Sequence, residues 1–294
     1  MVINYHHLTH FRPPVPVSRP PHLPLVCIAA CLSNAILLAP CASRAAEGLI
    51  RLIDPPERGF YAKRLDYEDI PIKAPKQVAD EALLAAKGRL SMMLSNLPAI
   101  RANLRLAGTE LHIIGRDQVT SDLPEHRELK GKPMPEYHGL TVDERTRGLG
   151  GRLVSCGEEN LLKLEKDRYR GRDICVHEFA HNIRNYGMPP EVRARFDEQY
   201  QRSLAKGLWQ KSYAGSNPDE FFAELTMWYF GTHGDLHMTG AKPDNGPEGL
   251  KQYDTEAFAL LDEFYRGQMP ILEKRTHHLR DAATTPNTNS ATVP

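Results

Sequence analysis

Two histidines four residues apart, His177 and His181, flank Glu178 in the run Cys175-Val176-His177-Glu178-Phe179-Ala180-His181. If this run is helical, both imidazoles leave the same face, one turn above the other. That face can supply two ligands to one metal ion, and the acid between them suits a base acting on a water beside it. The surroundings favour a buried helix: Ile174, Cys175, Val176, Phe179, Ala180 and Ile183 are apolar or small. Unpaired imidazoles and carboxylates in such a place are costly, and a metal would offset the cost. Gly187 followed by Pro189-Pro190 gives the expected helix end.

The third ligand decides which kind of site this is. Six residues after His181 stands Gly187, not histidine, and Arg184 stands where a metzincin pattern has glycine. Near Gln201, where thermolysin-like enzymes place a glutamate, there is none. The remaining candidate is the segment from Asn217 to Phe230. Asn217 is a good N-cap and Pro218 a good first helical residue. Phe221, Phe222, Leu225, Trp228 and Tyr229 predict a largely buried helix, with Glu220 and Glu224 four apart on one face. Two assignments stay open on these residues. Glu220 is the ligand, or Glu220 closes a capping box with Asn217 and Glu224 binds one turn deeper.

The set His177-Glu178-Phe179-Ala180-His181, Tyr213 and Glu220-Phe221-Phe222-Ala223-Glu224 resembles the catalytic domain of anthrax lethal factor and its relatives, among them the bacterial Pro-Pro endopeptidases. The resemblance spans roughly residues 145–267. It implies a zincin-like α+β fold, with a mostly helical zinc-binding core and a small mixed sheet, and a zinc metallopeptidase of gluzincin type. It further implies zinc held by His177, His181 and Glu220, Glu178 as general base, Tyr213 aimed at the developing oxyanion, and Glu224 orienting a ligand histidine. An edge strand over Gly151, Arg152, Leu153, Val154 and Ser155 would pair with an extended peptide or protein substrate. The toxin's translocation and docking domains do not fit in 294 residues, so its substrate choice does not carry over.

The first 46 residues differ from the rest. They hold Arg12, Arg19 and Arg44 but no acid, then an apolar run from Leu23 to Ala39 and small residues before Glu47. This predicts a cleaved signal peptide and a secreted, periplasmic or cell-envelope protein; an uncleaved anchor is the alternative, and the only route to a membrane. Cleavage would remove Cys27, Cys31 and Cys41, leaving Cys156 and Cys175 as one possible disulfide or a pair of buried thiols. The chain carries 37 basic and 37 acidic side chains, so neither nucleic acid nor a charged membrane surface is implied. A monomer is expected.

Residues 47–74 are rich in proline and charge and read as an extended lead-in to a domain over 75–270. Helical periodicity dominates from Pro75 to Ala107, and Glu110 to Gly115 reads as a strand whose His112 is a core or sheet-face residue. The segment 116–150 reads as a long loop able to shape a cleft. An amphipathic helix is expected over Pro190–Lys206, closing helices over 246–267 and a disordered tail over 271–294. His233 and His237, among Gly231, Gly234 and Gly240, read as solvated loop histidines. Two further classes compete with a peptidase: a zincin-fold binding module in which metal is only a staple, and a zinc hydrolase of a non-peptide bond.

Overall fold

In the computed structural model, residues 48–233, 238 and 241–273 are described. The signal-peptide reading of residues 1–46, His237 and the tail beyond residue 273 lie outside them. Among the described residues no helix is long and apolar enough to cross a membrane.

The expected lead-in is half of the sheet. Strands β1 (Arg51–Glu57), β2 (Tyr61–Tyr67) and β3 (Ile70–Pro75) form an antiparallel meander. Glu68 and Asp69 both take positive φ in the two-residue turn between Tyr67 and Ile70, the geometry that matches strand twist in a hairpin. Pro55 and Pro56 mislead here because they lie on β1, which is mostly exposed and lies at the sheet edge, where proline is tolerated and charge deters mispairing. Leu65, Ile70, Ile72 and Ala74 on the inner strands are fully buried.

Helices α1 (Asp80–Leu94) and α2 (Pro98–Ala107) then cross over to β4 (Glu110–Ile114), parallel to β3. Gly108 stops α2 in the left-handed conformation. The segment 115–147 is a long connection with three short 3-10 turns and one turn of helix, α3 (Val142–Arg145). It returns as β5 (Gly148–Leu149), followed by β6 (Leu153–Gly157). The sheet order is β1-β2-β3-β4-β6-β5. The fold is α+β, with a small mixed sheet against a helical half.

That order overturns the expected edge strand. Leu153, Val154 and Ser155 belong to β6, which pairs with β4 on one side and β5 on the other, while Gly151 and Arg152 form the bend before it. The strand at the edge is Gly148–Leu149. Val154, Ser155 and Cys156 are fully buried, and a strand packed that deeply needs partners for its backbone groups on both flanks. Of the two readings left open for the cysteines, the structure has the pair of buried thiols. Cys156 and Cys175 are free thiols, both buried, where β6 packs on the first motif helix. Burial, with the neighbouring Cys175 thiol, pushes the Cys156 thiol up, so it is an inert core group.

The second half starts with α4 (Glu158–Leu161) and the motif helix α5 (Ile174–Asn182), which continues as one π-helical turn to Gly187. It ends with α6 (Pro190–Ala205), α7 (Pro218–Tyr229), α8 (Pro247–Tyr253) and α9 (Thr255–Tyr265). Helix α5 lies between β6 and α7, and α6, α8 and α9 back α7. Phe196, Phe222 and Phe264 meet edge to face in that backing layer, with centroids 4.9 to 6.0 Å apart, a favoured aromatic geometry. The two site helices therefore sit in the rigid interior with one shared face turned outward.

Candidate metal centre and cleft

Helix α5 starts at Asp173, whose carboxylate accepts from Val176 N at 3.2 Å and pairs with Arg89 at 2.7 Å. The Asn160 side chain accepts the orphan Ile174 N–H at 2.8 Å. With its first turn satisfied, the helix buries Val176, Phe179, Ala180 and Ile183 and presents His177 and His181 to α7. Their Nε2 atoms stand 3.2 Å apart.

Asn217 caps α7 alone, accepting from Asp219 N at 3.0 Å and Glu220 N at 2.9 Å. The Glu220 carboxylate faces the histidines instead of closing a capping box. Its Oε2 lies 3.2 Å from His177 Nε2 and 3.4 Å from His181 Nε2. Glu224, one turn deeper and fully buried, has a different task. Its Oε1 is 3.1 Å from His177 Nδ1, off the line of an ideal hydrogen bond. The same carboxylate accepts from the Arg172 guanidinium, and its Oε2 is 3.0 Å from His233 Nε2. The placement separates two acids that residue patterns left interchangeable: Glu220 joins the histidines' outward atoms, and Glu224 holds His177 from behind.

These atoms suit a tetrahedral metal. Two ligands each about 2.0–2.1 Å from zinc at a tetrahedral angle are about 3.3 Å apart, and the three separations here bracket that value. Glu220 Oε2 is buried with no hydrogen bond of its own, an orphan that a cation would satisfy. Burial works against charge on Glu220 and Glu224, but His177 and His181 beside the first, and His177 and His233 beside the second, hold both carboxylates well below the ordinary range. Burial likewise lowers His177, yet Glu220 and Glu224 outweigh it and lift its imidazole to about 10. The pocket is built to stabilise positive charge. Among the described residues this is the one such trio of ligand side chains.

Glu178 sits beside the trio and against the sheet edge. Burial, with Glu220 nearby, raises its carboxyl; His177, His181 and a hydrogen bond from the Gly150 N–H oppose the shift, which stays upward. Two glycines make this approach possible. A Cβ on Gly148 would lie 2.8 Å from Ser155 O and 2.9 Å from Ile174 Cγ2. One on Gly150 would lie 3.1 Å from His181 Cβ and 3.4 Å from Glu178 Oε2. Asn182 Nδ2 donates to Gly151 O at 2.6 Å and ties the bend to the helix.

Tyr213 is 42% exposed, with its ring stacked on His177 at 6.0 Å and its hydroxyl donating to Glu220 Oε1 at 3.0 Å. Buried Trp209 anchors its loop, and a side chain on Gly215 would run into the Trp209 carbonyl. Burial and the Glu220 charge push the phenol up, with Arg145 opposing. Together these residues form one wall of a cleft of about 430 Å³. Tyr137, Arg145, Thr146 and the Gly148–Gly151 edge form the opposite wall, so the long loop does border the cleft.

No family model matches the chain, and no curated protein matches it. Among solved structures it is similar to the Pro-Pro endopeptidase PPEP-2 from Paenibacillus alvei. The identity is 19% and the TM-score 0.48, over 66% of this chain and 96% of that one.

Pattern reasoning missed four contributors. His233, expected in solvent, is buried and stacked on Trp228 with centroids 3.6 Å apart, and it completes the shell of Glu224. Arg172 carries no periodic signal, since it lies in a turn-rich stretch before α5. Gly148 and Gly150 were visible only as turn formers. His112, by contrast, is the core histidine its strand implied, 1% exposed and away from the cleft.

Proposed function

We propose that the chain is a zinc-dependent endopeptidase whose metal is held by His177, His181 and Glu220. One observation carries this reading: three ligand atoms converge at tetrahedral spacing on the wall of an open cleft, with an upward-shifted carboxylate beside them. Structural zinc sites close with four protein ligands, whereas three ligands facing a cleft leave one position for water or substrate.

The metal, when bound, supplies Lewis acidity that acidifies a water and polarises a carbonyl. Glu178, held above the usual carboxylate range, takes the water's proton and delivers it to the leaving amine. Tyr213, with its hydroxyl at the cleft face of Glu220, can turn that donor to the oxyanion as charge develops. Glu224 fixes the His177 ring so that Nε2 points at the shared position. The Gly148–Leu149 strand lies at the sheet edge along the cleft, and an extended peptide that displaces the Thr146 hydroxyl from the Gly148 backbone can add there as a further strand and align along the cleft. Residues 1–46 are proposed as an export signal, which N-terminal sequencing of the secreted protein would check.

Metal analysis of the purified protein, with cleavage of a diverse peptide library before and after chelation and zinc return, tests the reading. Stoichiometric zinc and chelator-sensitive endoproteolysis are expected. A metal-loaded protein that cleaves no peptide would leave a zincin-fold binding module or another hydrolase.

A further inference from the structure

The long connection before the edge strand is pinned at nearly every residue around Arg145. Thr141 and Glu144 form a reciprocal capping box, with Thr141 N donating to Glu144 Oε2 at 2.8 Å. Val142 is fully buried. Asp143 accepts from Ser121 N at 2.8 Å and from its hydroxyl at 2.7 Å. The Thr146 hydroxyl donates to Gly148 O at 2.6 Å, and its carbonyl accepts from Thr120 at 2.8 Å. Arg147 is held by Glu159 at 2.7 and 2.8 Å. The backbone that carries Arg145 is therefore fixed against the sheet.

Its side chain is not fixed in the same way. Arg145 is exposed and lines the cleft, and its guanidinium lies 5.9 Å from the centroid of the Tyr137 ring. No carboxylate among the described residues stands within ion-pair distance of it. Arg89, Arg147, Arg172 and Arg184, by comparison, each pair with an acid. Among the described residues Arg145 is also the one lysine or arginine lining the cleft. Two acids on the opposite wall are already engaged, Glu220 with the two histidines and Asp219 with Arg184 at 2.6 Å, and the third, Glu178, accepts from the Gly150 N–H. A guanidinium laid on an aromatic face keeps its planar donor fork available for a carboxylate.

We propose that Arg145 is a specificity-determining residue that recognises a carboxylate of the peptide substrate, so that the cleft selects acidic peptides. This deepens the peptidase reading and rests on it. The recognised group is a carboxylate, carried by an aspartate or glutamate side chain or by the peptide's C-terminus. An internal acidic side chain is the source that suits an endopeptidase. The contact is solvent-exposed, so its effect is moderate and falls with salt.

Binding and turnover separate the possibilities. Glu178→Gln protein binds peptides without cutting them, so fluorescence anisotropy can compare three probes matched in length. These are an amidated peptide with one internal glutamate, its glutamine counterpart amidated, and the glutamine counterpart with a free C-terminus. The glutamate peptide is expected to bind about two- to fivefold tighter than its amidated glutamine counterpart at low salt. Adding Arg145→Gln should abolish that difference, Arg145→Lys should keep part of it, and Arg145→Glu should invert it towards a lysine peptide. Preference for the free C-terminus instead would overturn the side-chain source. An equal loss for all probes in Arg145→Gln would overturn recognition and leave a general structural role. In Glu178-intact protein the effect should fall on KM for acidic peptides, with kcat nearly unchanged. Discrimination by Arg145 without cleavage of any probe would sink the peptidase reading while sparing the carboxylate site. Cleavage without discrimination would do the reverse.

Discussion

Two buried histidines in this molecule stand between carboxylates, and only one belongs to a candidate active site. His112, on β4, has Glu110 Oε2 at 2.9 Å from Nε2, with Glu125 and the Tyr61 hydroxyl (2.8 Å) on Nδ1. Lys73 reaches Glu110 and Glu57, each at 2.7 Å, and Arg58 reaches Glu125 at 3.0 Å. Both ring nitrogens are partnered, and the charges alternate into a closed network that ties the meander to the long loop. His177 has Glu224 behind it and Glu220 in front, but there Glu220 Oε2 is left unpartnered and the cleft opens beside it. A buried imidazole between acids is thus common to both. The functional signature is convergence of ligand atoms on a point that no protein group fills.

The sharpest way to break the comparison is to remove chemistry without disturbing the pocket. Glu178→Gln should lower peptide hydrolysis about a thousandfold while zinc content and melting temperature stay near wild type, measured by kinetics, elemental analysis and calorimetry on one preparation. Retained turnover would dismiss Glu178 as the base.

The two histidines should then respond in opposite ways. His177→Ala should lose zinc and with it the metal-dependent rise in melting temperature, which for a ligand at a thousand times its Kd is worth about 4 kcal/mol. His112→Phe should keep that rise but lose about 3 kcal/mol of baseline stability in urea titrations. This is the low end for a broken buried ion pair, because Lys73 and Arg58 still face the acids. If His112→Phe also lost zinc, the two clusters would not be independent.

Smaller again is the effect of the supporting acid. Glu224→Gln should weaken zinc about 10- to 100-fold, as removal of such a partner does, in competition with a metal chelator. Glu220→Gln should cost more. The reverse ranking would exchange the two glutamates.

The weakest effect is the pH dependence of the closed cluster. Burial lowers His112, but Glu110 and Glu125 outweigh it and raise its pKa above 6.5. Its stabilisation is therefore complete below pH 6.5 and is lost as pH rises through the raised value. Burial raises both acids, yet His112 with Lys73, and His112 with Tyr61, bring Glu110 and Glu125 down from 4.5 to about 2. Their stabilisation is complete above pH 4.5 and is lost as pH falls towards 2. The stability gap between wild type and His112→Phe should thus peak between pH 4.5 and 6.5. Melting curves across pH 2–9 with a flat gap would show that the network does not titrate with folding.

Much of this was written in short-range pattern. The spacing of His177 and His181 places two imidazoles on one face of any helix they form, because 3.6 residues make a turn. Asn217-Pro218 announces a helix start, and the aromatic run after it announces burial. Those are local rules, and α5, α7, α6 and the crossover helices α1 and α2 follow them. Four properties needed the folded chain. Which glutamate faces the histidines depended on how α7 rotates against α5, since residues 220 and 224 share a face and no local rule ranks them. Which strand forms the edge depended on long-range pairing. The apolar β6 looks like an edge only until β5 folds back to cover it. The burial of His233 and the meander hidden in 51–75 depended on distant partners, Trp228 and Glu224 for the first and the sheet core for the second. Sequence alone determined the chemistry this protein can attempt, because side-chain type and helical period act within a few residues. Tertiary structure decided which groups meet, because an orphan carboxylate, a glycine-thin edge and an uncommitted arginine exist only relative to elements far away in the chain.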